Sequence, residues 1–115
     1  MLACFRMGAI ALPLNPQLSE HDLAFRVGAT NPALAIGEAD YLDTLPGGIP
    51  SFDMDDLDRF FDEDIAQATP AKVADLAPDD PALIVFTSGT TAEPKGVVHS
   101  QRYLIGQALQ AQHWV

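Results

Sequence analysis

The chain has 115 residues, of which 48% are hydrophobic and 19% are charged, a balance typical of a folded globular domain rather than of a disordered segment. This length allows one small domain and excludes a complete multidomain enzyme. The formal net charge of −10 disfavours non-specific binding to nucleic acid and to anionic membranes, so an anionic ligand would have to be held by local interactions.

The N-terminal residues contain the single cysteine of the sequence, Cys4. A single cysteine excludes an internal disulfide and is compatible with the reducing cytoplasm, which is the predicted location. Leu2-Ala3-Cys4 is similar to the end of a lipoprotein signal, but too few residues precede Cys4 for such a signal. No window approaches about 18 uninterrupted apolar residues, so no membrane span is predicted.

The first half of the chain alternates between helical and strand patterns. Ser19 and Asp22 have the spacing of a capping box, which predicts the start of a helix that Gly28 and Asn31-Pro32 end. Pro50 favours an edge position for the strand that contains it. The predicted elements are the end of a helix over 2–7 with Gly8 as its stop, strands over 10–14 and 33–37, a helix from Ser19, and a weaker strand over 49–52.

Residues 53–64 are strongly acidic. An EF-hand loop starting at Asp53 would need an oxygen ligand at Leu57 and a glycine at Asp58, so a calcium site is rejected. Met54, Leu57, Phe61 and Ile65 recur at helical spacing, which predicts an amphipathic helix with a solvated acidic face. Residues 65–81, which are rich in proline, are predicted to be a linker.

The apolar run 82–86 predicts a strand buried on both faces, and it is followed by a polar run over 87–96. Beyond that run, Ser100 is expected to cap a helix, so that residues 87–99 would connect a strand to a helix. Such a connection is longer than closure requires, which is typical of a functional loop. His99 lacks a partner acid or metal-ligand spacing, so we expect a structural histidine at the start of that helix.

The composition of residues 87–96 suits phosphate binding. Gly89 lets backbone N–H groups converge on an anion, and Lys95 provides the only full positive charge between Lys72 and Arg102. The order Lys95-Gly96-Val97 excludes a Walker-type P-loop, which requires Gly-Lys followed by Ser or Thr. A solvated loop without a ligand is the alternative interpretation. The hydroxyl groups that could donate to phosphate oxygens belong to Thr87, Ser88, Thr90 and Thr91.

The string from Phe86 to Thr91, with Pro94-Lys95-Gly96-Val97, resembles the phosphate-binding signature of the adenylate-forming superfamily. That superfamily includes acyl-CoA synthetases, adenylation domains of peptide synthetases and luciferases. A weaker resemblance covers residues 8–16 and 19–25, so the similarity spans most of the chain. The continuation Lys95 to Ser100 resembles acid–thiol ligases, which favours the acyl-CoA synthetase branch.

The resemblance implies an α/β fold with a mainly parallel sheet flanked by helices, as part of a large N-terminal AMP-binding domain. It implies a two-step reaction with ATP, Mg²⁺ and coenzyme A, in which a small-molecule carboxylate becomes an acyl-adenylate and then a thioester. Fatty acid metabolism would be the corresponding setting. The residues implied to hold the β- and γ-phosphates are Thr87, Ser88, Gly89, Thr90, Thr91 and Lys95. Pro94 and Gly96 are implied to shape the turn without contacting the ligand.

Departures from the family pattern limit this expectation. Ala92 stands where the family usually has glycine, which would cost about 1 kcal/mol if that position needs a positive φ. Family members are several hundred residues long, and the magnesium-binding glutamate and adenylation lysine of the family have no counterpart here. We therefore expect a fragment of a ligase without catalytic residues or turnover of its own. The alternative is a non-catalytic α/β module whose exposed apolar surface mediates self-association or partner binding.

Overall fold

The computed structural model describes residues 1–87 and 93–113, without the side chains of Asp58 and Asp64. The chain divides into two units. Unit 1 contains Met1–Pro13 and Ala71–Val115, and unit 2 contains Leu14–Pro70. Unit 2 contains a parallel strand pair together with helices, and unit 1 contains an antiparallel strand pair together with helices. The predicted α/β class with a parallel sheet and helices is confirmed.

The elements follow one another as helices and short strands. The strands are β1 (Ala35–Gly37), β2 (Ser51–Asp53), β3 (Pro81–Thr87) and β4 (Lys95–Ser100). The α-helices are α1 (Leu2–Met7), α2 (Glu20–Thr30), α3 (Ala39–Leu42), α4 (Leu57–Arg59) and α5 (Arg102–His113). A 3₁₀ turn (Met54–Asp56) precedes α4, and a π-helical segment (Phe60–Ile65) follows it.

In unit 1, helix α1 ends at Gly8, as predicted. Gly8 has a φ of 75°, in the left-handed region that favours glycine. A Cβ at this position would lie 3.1 Å from Cδ2 of Leu76 and 3.4 Å from Cβ of Ala74. The N–H of Ala74 donates to the carbonyl of Arg6 at 2.9 Å, so residues from the predicted 65–81 segment lie directly against α1.

The predicted strand at 10–14 is reduced to a single parallel bridge between Ala11 and Leu83. The N–H of Ala11 donates to the carbonyl of Ala82 at 2.9 Å, and the N–H of Ile84 donates to the carbonyl of Ala11 at 2.9 Å. Pro13 has no N–H to continue this ladder. The core of the unit forms around this bridge from Phe5, Ala11, Ala82 and Leu83, with Cys4, Val85, Tyr103 and Leu104 packed against it.

Residues 95–100 form a strand, β4, where the sequence predicted part of a long connection and a helix cap at Ser100. β4 pairs with β3 in antiparallel register, with Val97 opposite Val85 and Val98 opposite Ile84. The β-branched pairs stabilise this hairpin because such side chains pack well across strands. The predicted strand at 82–86 is present as β3, and its buried part is Ala82 (1% exposed) and Leu83 (5%).

Helix α5 begins at Arg102 rather than at Ser100. The start of the helix is joined to the turn that precedes β3, because the N–H of Gln101 donates to the backbone carbonyl of Asp80 at 2.9 Å and the N–H of Arg102 donates to that of Pro78 at 3.1 Å. Arg102 also forms an ion pair with Asp79 at 2.9 Å, but both side chains are exposed. Backbone hydrogen bonds therefore place the helix, and the ion pair adds little.

In unit 2, the predicted helix cap at Ser19 is confirmed. The N–H of Asp22 donates to Oγ of Ser19 at 3.1 Å, and that hydroxyl donates to Oδ2 of Asp22 at 2.6 Å. Leu23 and Val27 form the buried face of α2, which ends at Asn31 with a φ of 45°. The predicted strands at 33–37 and 49–52 appear as β1 and β2, which pair in parallel with Ile36 opposite Phe52.

The acidic segment is helical, as predicted, but in three short pieces: the 3₁₀ turn, α4 and the π-helical segment. The ring of Phe60 lies 4.6 Å from Phe52 and 5.8 Å from Phe61, in edge-to-face arrangements. The predicted apolar face is not buried, because Met54, Leu57, Phe61 and Ile65 are 37–58% exposed. Local contacts of the Phe60 ring with Phe52 and Phe61 stabilise this segment.

Candidate functional site

Two of the candidate phosphate-binding residues, Thr87 and Lys95, lie in the described strands of the β3–β4 hairpin. Thr87 is the last residue of β3, and Lys95 is the first residue of β4. Ser88, Gly89, Thr90 and Thr91 lie outside the described residues, as does Ala92. The structure therefore describes both ends of the candidate segment 87–96, where Thr87 belongs to β3 and Lys95 and Gly96 belong to β4.

Thr87 and Lys95 are directly opposite each other in the hairpin register. Residues that face each other across an antiparallel pair project to the same side of the sheet, so the hydroxyl and the ammonium share one face. Both residues are exposed. Among the side chains that the structure describes, no carboxylate forms a salt bridge with Lys95. A hydroxyl donor and a cation available to solvent are what a phosphate group needs.

Gly96 lies one residue further from the tip, opposite Phe86. A Cβ built on Gly96 would be 3.4 Å from Cε1 and Cζ of Phe86 and 3.6 Å from Cγ2 of Ile84. The Phe86 ring therefore lies beside the position that a side chain at residue 96 would occupy. Sequence reasoning missed this contact because it depends on the strand register, which no local pattern reveals.

His99 is a half-buried residue of β4, opposite Leu83. The expectation of a histidine at a helix start is wrong, since the helix begins three residues later at Arg102. The centre of its ring lies 4.6 Å from that of Tyr103, with a tilt of 50°. Tyr103 in turn packs against the core cluster. His99 thus links the end of β4 to the first turn of α5, in agreement with a structural role.

An open apolar cavity of about 400 Å³ lies elsewhere in unit 1, between α1, residues 73–76 and the start of α5. Gln101 lines it, and its Nε2 is buried without a hydrogen-bond partner. The cavity lining does not include Thr87 or Lys95. It is therefore separate from the two described ends of the candidate loop.

Across residues 1–87 and 93–113, no three His, Cys, Asp or Glu side chains come together in a way that could hold a metal ion. Over the same ranges, none of the helices has the length and apolar character needed to cross a bilayer.

Comparison with known proteins gives a family match over the whole chain. The family model for AMP-binding enzymes matches residues 1–115. The p-hydroxybenzoic acid–AMP ligase FadD22 of Mycobacterium marinum is 35% identical over 99 residues, which cover 86% of this chain and 13% of that protein. The nonribosomal peptide synthetase atnA of Emericella nidulans is 30% identical over 110 residues, which cover 95% of this chain and 2% of that protein.

A similar solved structure is the malonyl-CoA ligase ternary product complex with methylmalonyl-CoA and AMP bound. It superposes with a TM-score of 0.66 and 33% sequence identity, over 92% of this chain and 21% of that one. The chain thus spans about a fifth or less of the length of these three proteins. The family match over residues 1–115, supported by these similarities, shows that the chain belongs to the AMP-binding enzyme family, the adenylate-forming superfamily.

Proposed function

We propose that residues 87–96 form the ATP phosphate-binding loop of an acyl-CoA synthetase. In that reaction a carboxylate oxygen attacks the α-phosphorus of ATP, the bond to the bridging oxygen breaks, and pyrophosphate leaves. The thiol of coenzyme A then attacks the acyl carbon and displaces AMP. Because the chain spans only part of the length of its relatives, this turnover is proposed for a whole enzyme and not for these 115 residues alone.

The observation that carries the proposal is the pairing of Thr87 with Lys95 at the exposed end of the hairpin. This pairing holds the two ends of the loop together and puts a hydroxyl and an ammonium on one face. Pyrophosphate gains negative charge as it leaves, so donors already in position lower the barrier without reorganisation. The net charge of −10 makes local placement of Lys95 important, since the chain as a whole repels anions.

Each residue has a separate role in this proposal. The hydroxyls of Thr87, Ser88, Thr90 and Thr91 donate to the β- and γ-phosphate oxygens. Gly89 allows backbone N–H groups to approach the phosphates. Lys95 supplies the positive charge. ATP would enter as its Mg²⁺ complex, but the described residues do not by themselves form a Mg²⁺ site, so no step is assigned to that ion.

Two further observations favour the CoA-ligase branch. The sequence that continues from Lys95 to Ser100 resembles that of acid–thiol ligases, and it forms the whole of β4. The malonyl-CoA ligase that superposes on this chain was solved with a CoA thioester and AMP. Small carboxylates, ATP and coenzyme A are accordingly the proposed substrates, and the cytoplasm is the proposed location.

Titration of the ¹⁵N-labelled chain with pyrophosphate and with MgATP, followed by NMR, tests the loop assignment. Amide signals of residues 87–96 should shift in a saturable way at millimolar concentration. Lys95→Ala should weaken binding roughly tenfold, because a charge-assisted hydrogen bond is lost. Lys72→Ala removes the same charge from another exposed position of unit 1 and should have little effect.

Equal losses in the Lys95 and Lys72 variants would show that binding is only non-specific attraction to positive charge. Unmoved amide signals in the parent chain at millimolar ligand would contradict the loop assignment. If sedimentation then showed an oligomer, the alternative of a self-associating or partner-binding module would be favoured. Its surface would include the exposed apolar side chains Val98 (58%), Ile105 (63%) and Leu109 (54%).

A further inference from the structure

We propose that Phe86 and Gly96 are positioning residues for the phosphate-binding loop. The ring of Phe86 occupies the space above Gly96 and thereby fixes the placement of Thr87 and Lys95, which are their neighbours along the two strands. This inference rests on the proposed function. Phe86 and Gly96 are not proposed to contact phosphate themselves, but to position Thr87 and Lys95, which are.

The strand register places Phe86 and Gly96 next to the residues proposed to contact phosphate. Phe86 and Gly96 face each other in the last pair before the tip, and Thr87 and Lys95 form the tip pair. Each positioning residue is therefore covalently next to a residue proposed to contact phosphate. A change in twist or separation at one pair is transmitted to the next, because the two strands are connected by a hydrogen-bonded ladder.

The space that a side chain at residue 96 would occupy is bordered by the Phe86 ring. The nearest atoms to an added Cβ would be Cε1 and Cζ of Phe86, both at 3.4 Å. A methyl group at that distance is in ordinary van der Waals contact, whereas the γ-methyl groups of valine would have to displace the ring. The described glycines with a positive φ are Gly8 and Gly48. Gly96 is not among them, so its backbone conformation does not require a glycine. We infer that glycine serves here to accommodate the ring.

The contact between Phe86 and Gly96 has a consequence for phosphate binding. An aromatic ring packed over a glycine in an adjacent strand stabilises the pair where the glycine itself contributes no side chain. Displacing the ring would rotate or separate the strands at the point where Thr87 and Lys95 face the same ligand. Misplacing donors by about 1 Å is enough to cost up to 100-fold in activity, so the effect on pyrophosphate binding should be measurable.

A graded series at position 96 tests the proposal. Gly96→Ala should change the dissociation constant for pyrophosphate by less than about twofold, and Gly96→Val should raise it roughly tenfold. Val98→Thr is the matched control, because Val98 lies two residues away on the same strand and opposite Ile84. In each variant, cross-strand backbone NOEs around Thr87 and Lys95 report the hairpin geometry independently of any ligand.

Variants of Phe86 complete the experiment. Phe86→Tyr keeps the ring and should bind pyrophosphate as the parent does, whereas Phe86→Leu should weaken binding. The double variant Phe86→Leu/Gly96→Val should bind no more weakly than Phe86→Leu alone, since the ring that valine displaces is already absent. Additive losses in the double variant, or unchanged NOEs around Thr87 in Gly96→Val, would overturn the positioning role.

These readouts separate the two proposals. If the parent chain does not bind pyrophosphate, the proposed function fails, and the NOE series still shows whether Phe86 and Gly96 set the hairpin geometry. If the parent binds and the Gly96→Val variant binds equally well, the positioning role fails while the loop assignment stands. A variant that has lost the NOEs between β3 and β4 altogether is unfolded, and the Phe86→Tyr and Phe86→Leu pair then decides the outcome.

Discussion

Each of the two units is stabilised internally by a different kind of contact. Unit 1 contains strands of seven and six residues, which pair in an antiparallel hairpin and contribute Ala82 and Leu83 to a core shared with Phe5 and Ala11. The strands of unit 2 have three residues each, and the buried side chains described there are Leu23 and Val27 of α2. Unit 1 depends on contacts between residues far apart in sequence.

Local interactions carry more of the structure in unit 2. Ser19 caps α2 from within the same turn, and Phe52, Phe60 and Phe61 lie close together in sequence as well as in space. Such interactions form without closing a long loop, so their entropic cost is small. The stability of unit 1 should therefore be most sensitive to core mutations, and that of unit 2 to changes at helix caps and turns.

The largest expected effect is that of Leu83→Ala. Leu83 is 5% exposed and pairs with both Ala11 and His99, so its truncation should lower the free energy of unfolding by about 2–4 kcal/mol. Amide hydrogen exchange resolved by residue measures the effect in each unit. Ile36→Ala, at a β1 position that is 62% exposed, should cost less than about 1 kcal/mol. Similar losses in the two variants would refute the contrast between the units.

Two glycine substitutions distinguish the units further, because one should lower the stability of unit 1 and the other should raise the stability of unit 2. Gly8→Ala introduces a Cβ at a φ of 75° and 3.1 Å from Leu76, so it should destabilise unit 1 by about 1–2 kcal/mol. Gly28→Ala lies within α2, with open space around it, and should stabilise unit 2 by about 0.5–1 kcal/mol. Thermal unfolding of both variants measures the direction of each effect. Shifts of the same sign and size in the unfolding temperature would disprove the predicted opposite effects of Gly8→Ala and Gly28→Ala.

Ser19→Ala tests the contrast at a helix cap in unit 2. The Ser19 hydroxyl accepts from the N–H of Asp22 and donates to its carboxylate, so its loss should cost about 1 kcal/mol. Helical signal from circular dichroism and exchange rates in α2 provide the measurement. Ser51→Ala, at an exposed position of β2, serves as the control. A larger loss in the control than in Ser19→Ala would show that the cap is not what stabilises this helix.

Sequence patterns predicted the elements whose signals are local. Ser19 and Asp22 lie one turn apart, and the end of α1 was marked by Gly8, so both boundaries were correct. β4 was missed because its strand character comes from pairing with β3, which its own residues do not encode. The strand at 10–14 was predicted too long, since the bridge at Ala11 depends on Leu83, a residue distant in sequence.

The candidate site was predictable to a similar extent. Thr87 and Lys95 were identified from a continuous string of residues, and the hairpin register then placed them opposite each other. Gly96 was expected to shape a turn, but it lies in a strand beneath the Phe86 ring. A glycine that makes room for a side chain across the sheet looks the same in sequence as one that makes a turn, and only the pairing distinguishes them.

The direct pairing of Thr87 with Lys95 has a consequence for protein engineering. Because Thr87 and Lys95 pair directly on either side of segment 88–94, this segment is a suitable unit to exchange with that of another family member. Lengthening a closed segment costs little, about 0.6 kcal/mol for each doubling. Chimeras of this kind would allow the ligand preferences of different loops to be compared on a single scaffold.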